Sequence, residues 1–125
     1  MWDKSKPKVL LVEDAPFLRY AFGRLLRLQG FEVVEANDGQ EAMAALDDFQ
    51  PQFILTDLMM PVMDGVELIR RLRTDPRTAN LPVVAITADS TGGAEKRARD
   101  AGADAFITKP VELPDLIDRL RAVRH

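Results

Sequence analysis

The stretch Phe53-Ile54-Leu55-Thr56-Asp57-Leu58-Met59-Met60-Pro61-Val62-Met63-Asp64-Gly65 decides how the chain is read. An apolar run, Phe53 to Leu55, ends in Thr56 and an aspartate, and a turn with Pro61 and Asp64-Gly65 follows. A short apolar run bounded by turn residues is the pattern of a strand buried in a parallel sheet. A carboxylate at the carboxyl end of such a strand lies where open α/β sheets bind ligands. Alone, Asp57 reads equally well as the cap of the next helix. Its meaning depends on what the other strands deliver.

Upstream, residues 1–7 read as a flexible lead-in, with Trp2 half-exposed. Lys8 to Glu13 is a first strand and ends in Glu13-Asp14. Pro16 suits a first helical turn, and Leu18, Ala21, Phe22, Leu25 and Leu28 recur at helical spacing until Gly30. Phe31 to Ala36 is a second strand. Asp38 to Glu41 is an acidic counterpart of a capping box, opening a helix with Ala42, Ala45, Leu46 and Phe49 on one face, and Pro51 breaks it.

Downstream, Asp64 to Glu67 repeats that spacing before a helix carrying Val66, Ile69 and Leu72. Pro82 to Thr87 is a fourth strand. A fourth helix, about Ala94 to Ala101, offers only Ala94, Ala98 and Ala101 to the core, so it packs most weakly. Asp104 to Thr108 is a fifth strand, followed by Lys109-Pro110 and a helix with Leu113, Leu116, Ile117 and Leu120 on one side. Strand and helix alternate five times, which calls for a doubly wound parallel sheet with helices on both faces.

Composition narrows the chemistry. The 125 residues fit one domain, 8–125, and 46% hydrophobic with 30% charged residues is ordinary for a globular fold. A net charge of -3 shows no basic field for nucleic acid. There is no cysteine, and the one histidine is His125, so thiolate, zinc-thiolate and histidine-base chemistry fall away. No signal sequence or membrane-length apolar run is visible, and a cytoplasmic setting is the expectation.

With all strands pointing one way, their ends form one rim. It gathers Glu13, Asp14, Asp57, Thr87 and Lys109. Two carboxylates about 4 Å apart repel by roughly 4 kcal/mol at an effective dielectric near 20. Three acids need more counter-charge than one lysine supplies, and Mg²⁺ with oxygen ligands fits the remainder. A metal beside a carboxylate, with an ammonium and a hydroxyl opposite, is equipment for phosphoryl transfer. Without histidine or cysteine in the site, the carboxylate is the best nucleophile.

These residues, with Met60-Pro61, Asp64-Gly65, Thr87-Ala88, Ala101-Gly102-Ala103, Phe106 and Lys109-Pro110, resemble a response-regulator receiver domain of two-component signalling across about Lys8 to Arg124. The resemblance implies a flavodoxin-like fold with strand order 2-1-3-4-5. It implies that Asp57 accepts a phosphoryl group from a phosphohistidine on a sensor histidine kinase or phosphotransfer protein, and that the domain catalyses its own phosphorylation and slow dephosphorylation. Asp14, Asp57 and the backbone carbonyl of Met59 would ligate Mg²⁺, with Glu13 acting through water. Lys109 and Thr87 would hold the phosphoryl group, Thr87 and Phe106 would form the switch, and Met59 and Asp89 would modulate dephosphorylation. The Lys109-Pro110 bond would be cis. A downstream partner would meet the surface of the fourth helix, fifth strand and fifth helix, with the chain monomeric or dimerising on phosphorylation.

Four other readings meet the same residues. A haloacid-dehalogenase-type phosphatase wants an aspartate where Met59 stands, and a flavodoxin would find its phosphate repelled by Glu13-Asp14. A phosphorylation-independent module, or a receiver segment of a hybrid kinase, stays open.

Overall fold

Five apolar runs become five parallel strands in a computed structural model that describes residues 6–60, 63–89 and 91–123. Trp2, Pro61, the side chain of Leu113, and His125 lie outside the described residues. The elements are β1 (Lys8–Val12), α1 (Pro16–Leu28), β2 (Glu32–Ala36), α2 (Gly39–Ala45), β3 (Phe53–Asp57), α3 (Gly65–Thr74), β4 (Val83–Thr87), α4 (Gly93–Ala101), β5 (Ala105–Thr108) and α5 (Leu113–Val123). The sheet order is β2-β1-β3-β4-β5, as the resemblance implied. Its register pairs Leu10 with Val34 and Ile54, Leu55 with Val84, and Ala85 with Phe106.

Successive side chains on a strand face opposite ways. Leu10, Val12, Ile54, Ala85 and Phe106 therefore share a core with Leu46, Leu68, Leu72, Ala94 and Ala98, on the side of α2, α3 and α4. Val9, Leu11, Leu55, Val84 and Ile107 pack with Phe22 and Leu26 of α1 and Leu116 and Leu120 of α5. Every β3 and β4 residue is buried, which is why both read as unbroken apolar runs.

The expected inner face of α1 is corrected. Phe22, Gly23 and Leu26 are buried, whereas Leu18, Ala21, Leu25 and Leu28 are exposed. The helix carries two interleaved apolar series, and periodicity does not say which faces the sheet. Gly23 supplies the reason for the one chosen. A Cβ at Gly23 would meet the Glu35 carboxylate of β2, so the glycine lets α1 lie over that acid.

The caps match the pattern. Asp38 and Asp64 accept the backbone N–H of Glu41 (2.8 Å) and Glu67 (2.9 Å), and Glu41 reaches back to Asn37 N–H. Gly30, at φ 98°, ends α1 in a conformation other residues resist. Strand ends shift by one residue: Glu13 and Asp104 fall just outside β1 and β5, and Phe31 and Pro82 precede β2 and β4. Ala94 and Ala98 are buried as expected, and Phe106 shares their core.

Candidate functional site

The site begins where β1 and β3 stop. One residue past β1, Glu13 is still tied to the sheet by its N–H to Ala36 O (3.1 Å), and its carboxylate accepts the Ala15 N–H (3.1 Å). Asp14 follows, half-buried. Asp57 closes β3, with the Met59 N–H donating to its Oδ1 (3.1 Å). Oxygen atoms of Glu13, Asp14 and Asp57 lie within 4.8 Å of one another. The convergence expected of loops remote in sequence is present.

Lys109, just past β5, crosses the gap. Its Nζ lies 3.0 Å from Glu13 Oε1 and 3.0 Å from Asp57 Oδ2. The Glu13 and Asp57 side chains keep only 3% and 6% of their surface exposed, and that of Lys109 19%. Burial pushes the Glu13 carboxyl up to about 7, with Asp57 adding to the rise and the Ala15 N–H and Lys109 opposing it. Burial pulls the Lys109 ammonium down, but its bonds to the two acids outweigh that and raise it. The lysine is held charged while one acid is driven toward its neutral form. One cation does not balance three carboxylates here.

The donor set fits a hard divalent cation. It is all oxygen, it converges from the ends of β1 and β3, and it sets three carboxylates against the single ammonium of Lys109.

Thr87 ends β4, fully buried, and its Oγ1 accepts the Asp89 N–H (3.2 Å), which leaves the hydroxyl proton free to be donated. The Asp89 carboxylate accepts the Thr91 N–H (2.9 Å). Hydrogen bonds from Thr91 hold Asp89 below the usual carboxylate range. The Lys109 N–H bonds Thr87 O (2.7 Å), joining the ends of β4 and β5, and the Lys109-Pro110 peptide is cis. Met59 points outward, 65% exposed, while Phe106 is buried. A groove of about 700 Å³ starts at Met59 and Thr87 and runs between α3 and α4 to Arg70 and Arg97.

The roles of two contributors escaped the sequence reading. Gly65 lets α3 approach β3, because a Cβ there would strike the Asp57 carbonyl and Leu58 Cα. Arg19 donates to Glu13 O (2.8 Å) from inside α1. The Asp-Gly pair was a visible signal for the first. Nothing in the local sequence marked the second.

Comparison with known proteins agrees with this geometry. Residues 9–121 match the response regulator receiver domain. The DNA-binding regulator RpaA of Synechocystis is 35% identical over 94% of this chain, which spans about half of its length (48%). The polar-differentiation response regulator DivK of Brucella anthropi is 32% identical, over 91% of this chain and 93% of its own length. The receiver domain of the sensor histidine kinase PA1611 of Pseudomonas aeruginosa, crystallised with a magnesium ion in its active-site cleft, superposes with a TM-score of 0.87. That match has 28% identity and covers 94% of this chain and 97% of that one. The chain belongs to the family of response regulator receiver domains of two-component systems.

Proposed function

We propose that Asp57 is the phosphoacceptor of a two-component phosphorelay and that the domain acts in the cytoplasm. The observation that carries the reading is the meeting of three carboxylates with Lys109 at one end of the sheet. An Asp57 oxygen attacks the phosphorus of a phosphohistidine, the P–N bond breaks, and its electron pair leaves on the imidazole. The product is an acyl phosphate, which water later cleaves to phosphate and the free carboxylate. Asp14, Asp57 and the Met59 carbonyl would hold Mg²⁺, with Glu13 acting through water, and the ion would offset charge on the phosphoryl oxygens. Lys109, already against Asp57, would pair with one of those oxygens and Thr87 would donate its hydroxyl to another.

Met59 and Asp89 flank the phosphoryl position and set how water reaches it. Drawing Thr87 inward breaks its bond from Asp89 N–H, and Phe106, packed beneath the alanines of α4, reads that change out. The surface of α4, β5 and α5 would carry it to a downstream protein. Within α4, Lys96 and Arg99 are already paired with Asp100 and Glu95.

The phosphoryl donor, a histidine kinase or phosphotransfer protein, docks on another face. Of six large hydrophobic side chains exposed among the described residues, five lie on α1 and the sixth is Met59. The stripe includes Phe17, Tyr20 and Leu28, and it begins three residues beyond Asp14. A second reading, a receiver segment of a hybrid kinase, is favoured by the likeness to the PA1611 receiver and shares the acceptor chemistry.

The test is a small phosphodonor with Mg²⁺, read by intact mass. One phosphoryl mass is expected on the wild type and none on Asp57→Asn. Label persisting on the variant would place the acceptor elsewhere, and an unlabelled wild type would favour a phosphorylation-independent module.

A further inference from the structure

Glu13 and Asp14 sit past the end of β1, and Glu13 is almost wholly buried. Its backbone is fixed from two sides. The N–H is bonded to Ala36 O, and the C=O accepts Arg19 Nη1 at 2.8 Å. The Glu13 carbonyl belongs to the same planar peptide unit as the Asp14 nitrogen and Cα. A donor that holds this oxygen therefore sets the plane from which the Asp14 side chain leaves.

Arg19 is itself braced. The same Nη1 reaches Asn37 Oδ1 (3.1 Å), just past β2, and Nε faces Glu35 Oε1 (3.6 Å). Glu35 is held in turn by Arg27 (2.9 Å), in the space left by Gly23. A rigid, branched guanidinium can serve these acceptors together, whereas a single ammonium cannot.

We infer that Arg19 is a positioning residue for the acidic site: it anchors the Glu13–Asp14 peptide plane to the end of β2 and so aims the Asp14 carboxylate at Asp57. This rests on the phosphoacceptor reading, with Mg²⁺ as the probe of the acid cluster. A purely structural staple between β1 and β2 would act on stability alone. A positioning role acts on metal affinity as well.

The experiment is calorimetric titration of Mg²⁺ into wild type, Arg19→Met, Arg19→Lys and Asn37→Ala, with a melting curve for each in chelator. Arg19→Met is expected to bind Mg²⁺ about tenfold more weakly, the low end for a residue that orients a ligand from outside. Arg19→Lys, which keeps a donor for Glu13 O but gives up the shared braces to Asn37 and Glu35, recovers only part of that affinity. Asn37→Ala, which removes only the outer brace, weakens binding less than Arg19→Met does and decides the matter should the latter not fold. Affinities of Arg19→Met and Asn37→Ala within about twofold of wild type, with melting temperatures lowered, would overturn the inference and leave the phosphoacceptor reading standing. A wild type that binds no Mg²⁺ would overturn both.

Discussion

Replacing Gly65 by alanine adds one methyl group where the start of α3 lies against the end of β3. The new Cβ falls inside contact distance of the Asp57 carbonyl oxygen and Leu58 Cα. Both are main-chain atoms, so no rotamer change relieves the clash, and either α3 or the end of β3 has to move. Overpacking of this kind costs about 1–3 kcal/mol. Moving α3 also stretches the Gly65 N–H bond to Leu58 O, now 2.9 Å, worth about 1 kcal/mol. Against these, alanine improves helix propensity by at most about 1 kcal/mol. The net loss is about 2 kcal/mol, or roughly 8 °C in melting temperature for a domain of this size.

Gly93→Ala is the internal control. Its added Cβ meets only Arg97 Nη1 at 3.5 Å and Thr91 Oγ1 at 3.8 Å, both ordinary contacts, so it should be neutral or stabilising by up to about 1 kcal/mol. Urea unfolding of the two variants, with unchanged denaturant slopes, measures the difference. Equal midpoints for Gly65→Ala and wild type, or a Gly93→Ala as damaging as Gly65→Ala, would refute the packing account.

Without metal, the Glu13 carboxyl titrates near 7 when folded against 4.5 in the unfolded chain, so the folded state holds a proton that the unfolded state has lost. Its contribution to stability is whole below the lower value and is lost as pH rises through the upper one, on the order of 3 kcal/mol in urea titrations under chelator, with Glu13→Gln flat across that window. Lys109→Ala strands the two nearly buried carboxylates and should cost roughly 3 kcal/mol, the low end because the lysine keeps contact with water. That loss is expected to be larger at alkaline pH than at acid pH, where Glu13 is protonated, and equal losses would argue against the shared ion pair. Phe17→Ser, at a side chain 90% exposed, should slow phosphorylation by the partner kinase at least several-fold while leaving labelling by a small phosphodonor unchanged. Parallel losses with both donors would remove α1 from the docking surface.

The fold was legible because its strands are local signals: β3 and β4 are buried on both faces and need no alternation to be seen. The acids, Thr87 and Lys109 were legible for the same reason, as each stands at the end of such a run. What escaped depends on partners far away in the chain. Apolar residues on α1 face both inward and outward, and the choice is made by Gly23 accommodating Glu35 from another element. Glu13 was expected to act on a metal through water, yet across 96 positions it also meets Lys109 directly. Arg73, in α3, carries no local signal of its role, yet it bonds Gly102 O, Leu81 O and Asp104 at once, tying the loops that enter β4 and β5 at the end of the sheet opposite the site.

On the proposed phosphoacceptor role, the charge count of the site would make metal and phosphoryl group support one another. Three carboxylates and one ammonium sum to -2 when all are ionised. Burial, with Asp57 beside it, pushes the Glu13 carboxyl up to about 7, so that acid is partly neutral near neutrality and the excess is smaller there. A phosphoryl group replaces the single charge of Asp57 by roughly two, which this enclosure resists when no cation is bound. A divalent ion alone brings the sum to zero, and with the phosphoryl group added the sum is only about -1. On that reading each group would lower the electrostatic cost of the other, so Mg²⁺ affinity and acyl-phosphate stability would be linked reciprocally. Lys109 alone cannot create that linkage, because the acids already hold it in the resting state. The fold thus encloses at Asp57 an excess of negative charge that protonation of Glu13 offsets only in part.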